Sequence, residues 1–382
     1  MQNYSKQVSS EHLYLALVSG KVQKRLFDIR AFLQAYSGIE DSDYAEYRDA
    51  DNKFSGIWLR STCRGPEHDL VIFYIPNLLL RCGMPYFYVE YLITLQSLLL
   101  VQGFHSPAVF IVDVSPGVDM DANELFMRII NAWSFIGQSH PNAKVIIAGD
   151  SFGATIALSL MILIACSRNS ETGSSEAGNG ETKDGENAKV TSTEDPSTEQ
   201  ESTTSPPAPA PPALPNMQRP FGALLISPLL VGHHEPKSAL GEGRLAIWAQ
   251  RSTEFFRNIT LFGKDIEPNP MRVQNVEIWK EAAPEKGMII SHGASEDLQQ
   301  NLENFTEMIA GIVHTKVVIS ESSPFLPPLY SFFTENIQDE KEDSAFVLSA
   351  IISRMALWHT HFYLHPGSHE PMNPLSIDDL HT

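Results

Sequence analysis

Lys144 to Cys166 reads KVIIAGDSFGATIALSLMILIAC, and its middle decides the fold. Val145 to Ala148 is a short, continuous apolar run, the signature of a strand buried on both faces. Gly149-Asp150-Ser151-Phe152-Gly153 follows at once, and an apolar helical stretch begins at Ala154. A G-x-S-x-G sequence between strand and helix is the pattern of a nucleophile elbow. The serine sits on a sharp turn in a strained conformation, and glycines flank it because side chains there would strike neighbouring backbone. The helix N-terminus turns its amides and positive dipole end toward the serine. Phe152 N–H is then one expected oxyanion donor.

Working outward, Asp69 to Ile75, Ala108 to Val114, Phe221 to Ser227, Gly287 to Ser291 and Thr315 to Ser320 read as further strands. Tyr86 to Val101 and Glu124 to Ile136 carry helical spacing. Strands alternating with helices across short turns predict an α/β class with a mostly parallel, doubly wound sheet. Leu13 to Val22 and Arg25 to Tyr36 are helical in pattern and precede the first core strand, so residues 1–55 are expected to form an N-terminal helical cap. The core is expected over 56–167 and 219–356. Between them, 168–218 is rich in Ser, Thr, Glu, Gly and Asn and then in Pro and Ala (Pro206 to Pro215), and is expected to be disordered because it has too little apolar surface to offset the entropy of ordering. Residues 357–382 are expected to form a surface tail. Its histidines (His359, His361, His365, His369, His381) are scattered among Pro and Gly, and no metal site is read there.

The formal charge of −19 argues against nucleic acid or an anionic membrane as partner, since both repel it. Three cysteines, Cys63, Cys82 and Cys166, make no disulfide framework and fit a reducing, cytoplasmic setting. No secretory signal and no membrane span are read: the longest apolar run, Ala154 to Cys166, is too short to cross a bilayer. Oligomeric state is not legible.

The chain resembles the hormone-sensitive-lipase-like branch of the α/β-hydrolases, especially fungal members of the steryl acetyl hydrolase type. Gly149-Asp150-Ser151 has that branch's elbow form. Pro85 to Leu92 resembles its helix after the oxyanion loop, Gly222 to Pro228 its strand after the elbow helix, and Trp279 to Gly287 the segment entering its acid-bearing strand. The likeness spans about residues 55 to 355 without the insert. It implies an α/β-hydrolase fold, Ser151 as nucleophile, a hydrophobic small-molecule substrate in an apolar capped pocket, and no cofactor. In fungi it also implies a place beside secondary-metabolite pathways.

Two positions depart from the family. The His-Gly-Gly-Gly oxyanion loop is replaced by Pro76-Asn77-Leu78-Leu79, in which Asn77 and Leu78 still own amides while Pro76 has none. In the loop after the last long strand, Phe325 stands where the catalytic histidine belongs, and a phenyl ring cannot take the serine proton. His292 is a substitute base, or a strand-end residue bonded to backbone. His314 lies before the last strand, on its wrong side. Glu296 falls on the acid position, with Asp297 beside it; either is a direct base or a solvated loop acid. Three readings follow: a catalyst turned from hydrolysis to a cyclisation, elimination or pericyclic step, a working carboxylic-ester hydrolase, or a binding pseudoenzyme.

Overall fold

The computed structural model describes residues 44–59, 67–77, 85–114, 121–173, 217–231, 244–261, 266–294 and 298–320. Eight strands form one sheet: β1 (Tyr44–Arg48), β2 (Ser55–Leu59), β3 (Leu70–Ile75), β4 (Pro107–Val112), β5 (Lys144–Asp150), β6 (Gly222–Ile226), β7 (Met288–Gly293) and β8 (Thr315–Ser320). Their order is β1-β2-β4-β3-β5-β6-β7-β8. The β1–β2 and β2–β4 pairs are antiparallel, and every other pair is parallel. Among the described residues six α-helices accompany them: α1 (Val89–Val101), α2 (Ala122–Ser139), α3 (Phe152–Gly173), α4 (Arg244–Asn258), α5 (Val276–Ala282) and α6 (Gln299–Ile309).

Strand alternation divides the core in two. Ile72, Tyr74, Ile146, Ala148, Leu224, Ile226 and Ile289 pack on one face with Leu92, Leu95 and Leu99 of α1. Val71, Phe73, Ile75, Val145, Ile147, Leu225 and Ile290 pack on the other, against α2, α3 and α4. Because the central strands are parallel, their C-terminal ends share one edge of the sheet. Loops meet there, and that is where ligands bind in sheets of this kind.

The expected doubly wound sheet is present, with three departures. Residues 44–48 and Ser55 lie in strands, so the segment 1–55 is not helical throughout. Tyr44-Ala45-Glu46-Tyr47-Arg48 is an edge strand in which Ala45 and Tyr47 are half-buried and Glu46 and Arg48 exposed. Tyr47 stacks on Phe54 and Phe135, at ring-centroid distances of 5.5 and 4.7 Å, and this anchors the hairpin to α2. The helices read at Leu13–Val22 and Arg25–Tyr36 lie outside the described residues.

The insert is also shorter than 168–218. Helix α3 continues to Gly173, the fold has resumed by the buried Met217, and the Gln218 carbonyl accepts from Trp133 Nε1 at 3.2 Å. Residues 174–216 and 357–382 lie outside the described residues. Finally, the helix expected from Tyr86 opens with a 3-10 turn, Pro85–Tyr88, and becomes α-helical at Val89. None of the described helices is long and apolar enough to cross a membrane.

Candidate active site

Ser151 joins the end of β5 to the start of α3 with φ +49°, in the left-handed region that a residue with a Cβ occupies at a cost. Three neighbours hold it there. Its N–H donates to the Ile226 carbonyl of β6 at 2.8 Å. Its carbonyl accepts from the Leu229 amide at 3.1 Å and the Thr155 amide at 3.2 Å, and from the Thr155 hydroxyl at 3.2 Å.

Space dictates the flanking glycines. A Cβ on Gly149 would lie 2.7 Å from the Ile75 carbonyl oxygen, and one on Gly153 would strike the Ile75 oxygen and come within 2.5 Å of the Pro76 oxygen. The elbow is thus pressed against the exit of β3. The Phe152 ring is buried against Phe255 and Phe256 of α4, with centroids at 5.2 and 5.7 Å. Phe152 N–H opens the helix, and no hydrogen bond takes it up among the described residues. An amide in that position, one residue after the serine, is suited to receive negative charge.

The β3 exit differs from the expectation. Asn77 N–H, expected as an oxyanion donor, donates instead to the Tyr88 hydroxyl at 3.2 Å. Tyr88 donates on to Asp150 Oδ2 at 3.3 Å, and Tyr74 donates to Oδ1 at 3.0 Å. The physical reason is the buried carboxylate: a charge at that depth draws every nearby donor toward itself. Leu78, the other expected donor, lies outside the described residues.

Asp150 is fully buried, and burial pushes its carboxyl up to about 7. Hydrogen bonds from Tyr74, Tyr88 and the Asn77 and Asp150 amides pull the other way. Tyr91, on α1, is raised by the same burial and by the charge of Asp150, and its hydroxyl has no partner among the described residues. Reading the sequence for a triad missed this cluster of one carboxyl and three phenols. A signal was present: a tyrosine within the apolar run of β3, and an aspartate closing that of β5.

His292 is the last residue but one of β7, is buried, and bonds through Nδ1 to the Gly293 carbonyl at 3.1 Å. No hydrogen bond joins it to Ser151. His314 precedes β8 and lies at the opposite end of the parallel sheet from the elbow; its carbonyl accepts from the Met288 amide at 2.9 Å. Glu296, Asp297 and Phe325 lie outside the described residues. Among the described residues no group of three or more His, Cys, Asp or Glu side chains is placed to hold a metal ion.

No family model matches the sequence, and no curated protein matches it at a significant level. Solved structures do. The carboxylesterase EstE1 from a metagenomic library is 13% identical, with a TM-score of 0.53 over 92% of this chain and 99% of its own. A fungal esterase from Rhizomucor miehei is 11% identical, with a TM-score of 0.51 over 94% of each chain. Esterase LipW from Mycobacterium marinum is 14% identical, with a TM-score of 0.51 over 91% of each. At these identities the likeness is one of architecture, and together with the serine turn at the end of β5 it gives this chain the α/β-hydrolase fold.

Proposed function

We propose that the chain is an enzyme acting on a hydrophobic small molecule beside the serine turn, with its serine-hydrolase chemistry weakened or redirected. One observation carries the reading. The Asn77 amide, which stands where the family's oxyanion loop would serve the reacting carbonyl, is committed to Tyr88. Phe152 N–H then keeps its place as one oxyanion donor, and the Asn77 amide does not serve as the second. Losing one such donor costs about 10²–10³ in rate. Phe325 at the expected histidine position and the Gly293 bond of His292 point the same way, because a serine hydroxyl without a base is a weak nucleophile. A site of this kind suits a cyclisation, elimination or pericyclic step, in which holding a reactive conformer away from water does most of the work. Glu296 is retained in this reading as a direct base.

A second reading, carboxylic-ester hydrolysis through Ser151, is favoured by the strained turn itself. A φ of +49° at a serine costs about 1 kcal/mol or more that a glycine would not. The solved neighbours named as esterases support it at the level of fold. A fluorophosphonate probe separates the two. Strong labelling that disappears in Ser151→Ala supports the hydrolase. Absent labelling, with turnover of a hydrophobic substrate surviving in Ser151→Ala, supports redirected chemistry.

A further inference from the structure

We propose that Asp150 and Tyr88 are positioning residues that hold the Asn77 amide, and thereby set how the exit of β3 faces Ser151. This deepens the second reading, in which Ser151 is the nucleophile of ester hydrolysis, and rests on it.

The placement follows from strand alternation. Asp150 immediately precedes Ser151, yet its carboxyl projects to the α1 face of the sheet, beside Tyr74 of the neighbouring strand. The exit of β3 is thus gripped from two sides. Gly149 and Gly153 press on the Ile75 and Pro76 carbonyls from the elbow side. On the interior side, Tyr88 accepts from the Asn77 amide and donates its own hydrogen bond to Asp150, toward which the Asn77 amide also points. With Asn77 as the next residue after the gripped carbonyls, any change at Tyr88 is transmitted to backbone that touches the serine turn.

The direction of the relay depends on the carboxyl. A phenol has one hydrogen. While Tyr88 gives that hydrogen to Asp150 Oδ2, its oxygen is left to accept from Asn77. With a proton on Oδ2, Asp150 becomes a donor to Tyr88, whose own hydrogen then competes for the space of the Asn77 N–H. Tyr74 from β3, Tyr88 from the 3-10 turn and Tyr91 from α1 face the carboxyl, β6 presents the apolar Ile226, and among the described residues no cation contributes to its titration. Burial brings that titration close to neutrality.

The test uses the full chain, Asp150→Asn and Tyr88→Phe, near-isosteric changes whose folding is checked by circular dichroism. The ¹⁵N–¹H resonance of Asn77 is followed against pH. In the wild type it is expected to shift with a midpoint near 7. In Asp150→Asn the shift disappears, and in Tyr88→Phe the resonance moves and its pH dependence is altered but kept, because the Asn77 amide also faces the Asp150 carboxyl. A wild-type resonance insensitive to pH, or a shift that persists in folded Asp150→Asn, overturns the proposal. In parallel, the rate of fluorophosphonate attack on Ser151 is measured over the same range. Tyr88→Phe removes one of two interior acceptors of Asn77 N–H, the other being the Asp150 carboxyl, and labelling is expected to rise about threefold, a fraction of what a full oxyanion donor contributes. Labelling that is unchanged or falls, in a wild type whose Ser151 does react, overturns the link to Ser151. No labelling in any form refutes Ser151 as the reacting group, while the resonance still decides whether Asp150 and Tyr88 position Asn77.

Discussion

The N–H of Asn77 donates to the hydroxyl of Tyr88 at 3.2 Å, into the α1 side of the sheet. That contact separates this chain from what its elbow promises. The serine turn is built in full, but the neighbouring amide that would complete an oxyanion site is engaged beneath it. Four measurements probe this arrangement.

Stability should fall with pH through the titration of Asp150. The folded carboxyl holds its proton up to about 7, whereas an unfolded aspartate releases it near 4. Between those values the folded state binds more protons, so each step up in pH favours unfolding. The contribution is fully present below about 4 and is lost as pH rises through 7, a change on the order of 4 kcal/mol. Asp150→Asn should therefore gain on the wild type between about pH 5 and pH 8 in urea unfolding. Parallel curves for the two proteins would refute this.

Ser151→Gly should be more stable than Ser151→Ala by about 1 kcal/mol. Glycine adopts the +49° φ without steric cost, and alanine does not. The Ser151 side chain forms no hydrogen bond among the described residues, so little opposes the gain. Thermal melts of both variants give the order directly.

Gly153→Ala should destabilise by roughly 3 kcal/mol or prevent folding. Its methyl would meet the Ile75 and Pro76 carbonyls, which are backbone and cannot rotate away. Soluble yield and denaturation midpoint report it. A variant that folds normally would mean that the β3 exit is not pressed on the elbow.

His292→Gln should leave fluorophosphonate labelling close to the wild-type level. Removing a working general base from a serine nucleophile costs roughly 10⁶ in rate, and His292 is bonded to Gly293 rather than to Ser151. A collapse in labelling without a change in melting temperature would make His292 the base after all.

Much of the fold was legible because its signals are local. β5, β6 and β7 are short apolar runs bounded by Gly, Pro or polar residues, and β8 occupies the span read for it, Thr315–Ser320. β1 and β2 were missed for the opposite reason. β1 is an amphipathic edge strand, and its brief alternation over Ala45 to Arg48 was masked by the helical pattern before it. The end of α3 was misjudged at Arg168 because composition turns polar there while the helix, begun in the core, runs on to Gly173.

The sequence by itself determined the parallel sheet, the turn at Ser151 and the two glycines beside it, since each depends on residues a few positions apart. Only the tertiary structure decided where the Asn77 amide points and what Asp150 is for. Tyr88 is 11 residues from Asn77 and 62 from Asp150 in the chain. Burial depth and hydrogen-bond direction between such groups are set by how the strands stack, and no local spacing encodes them.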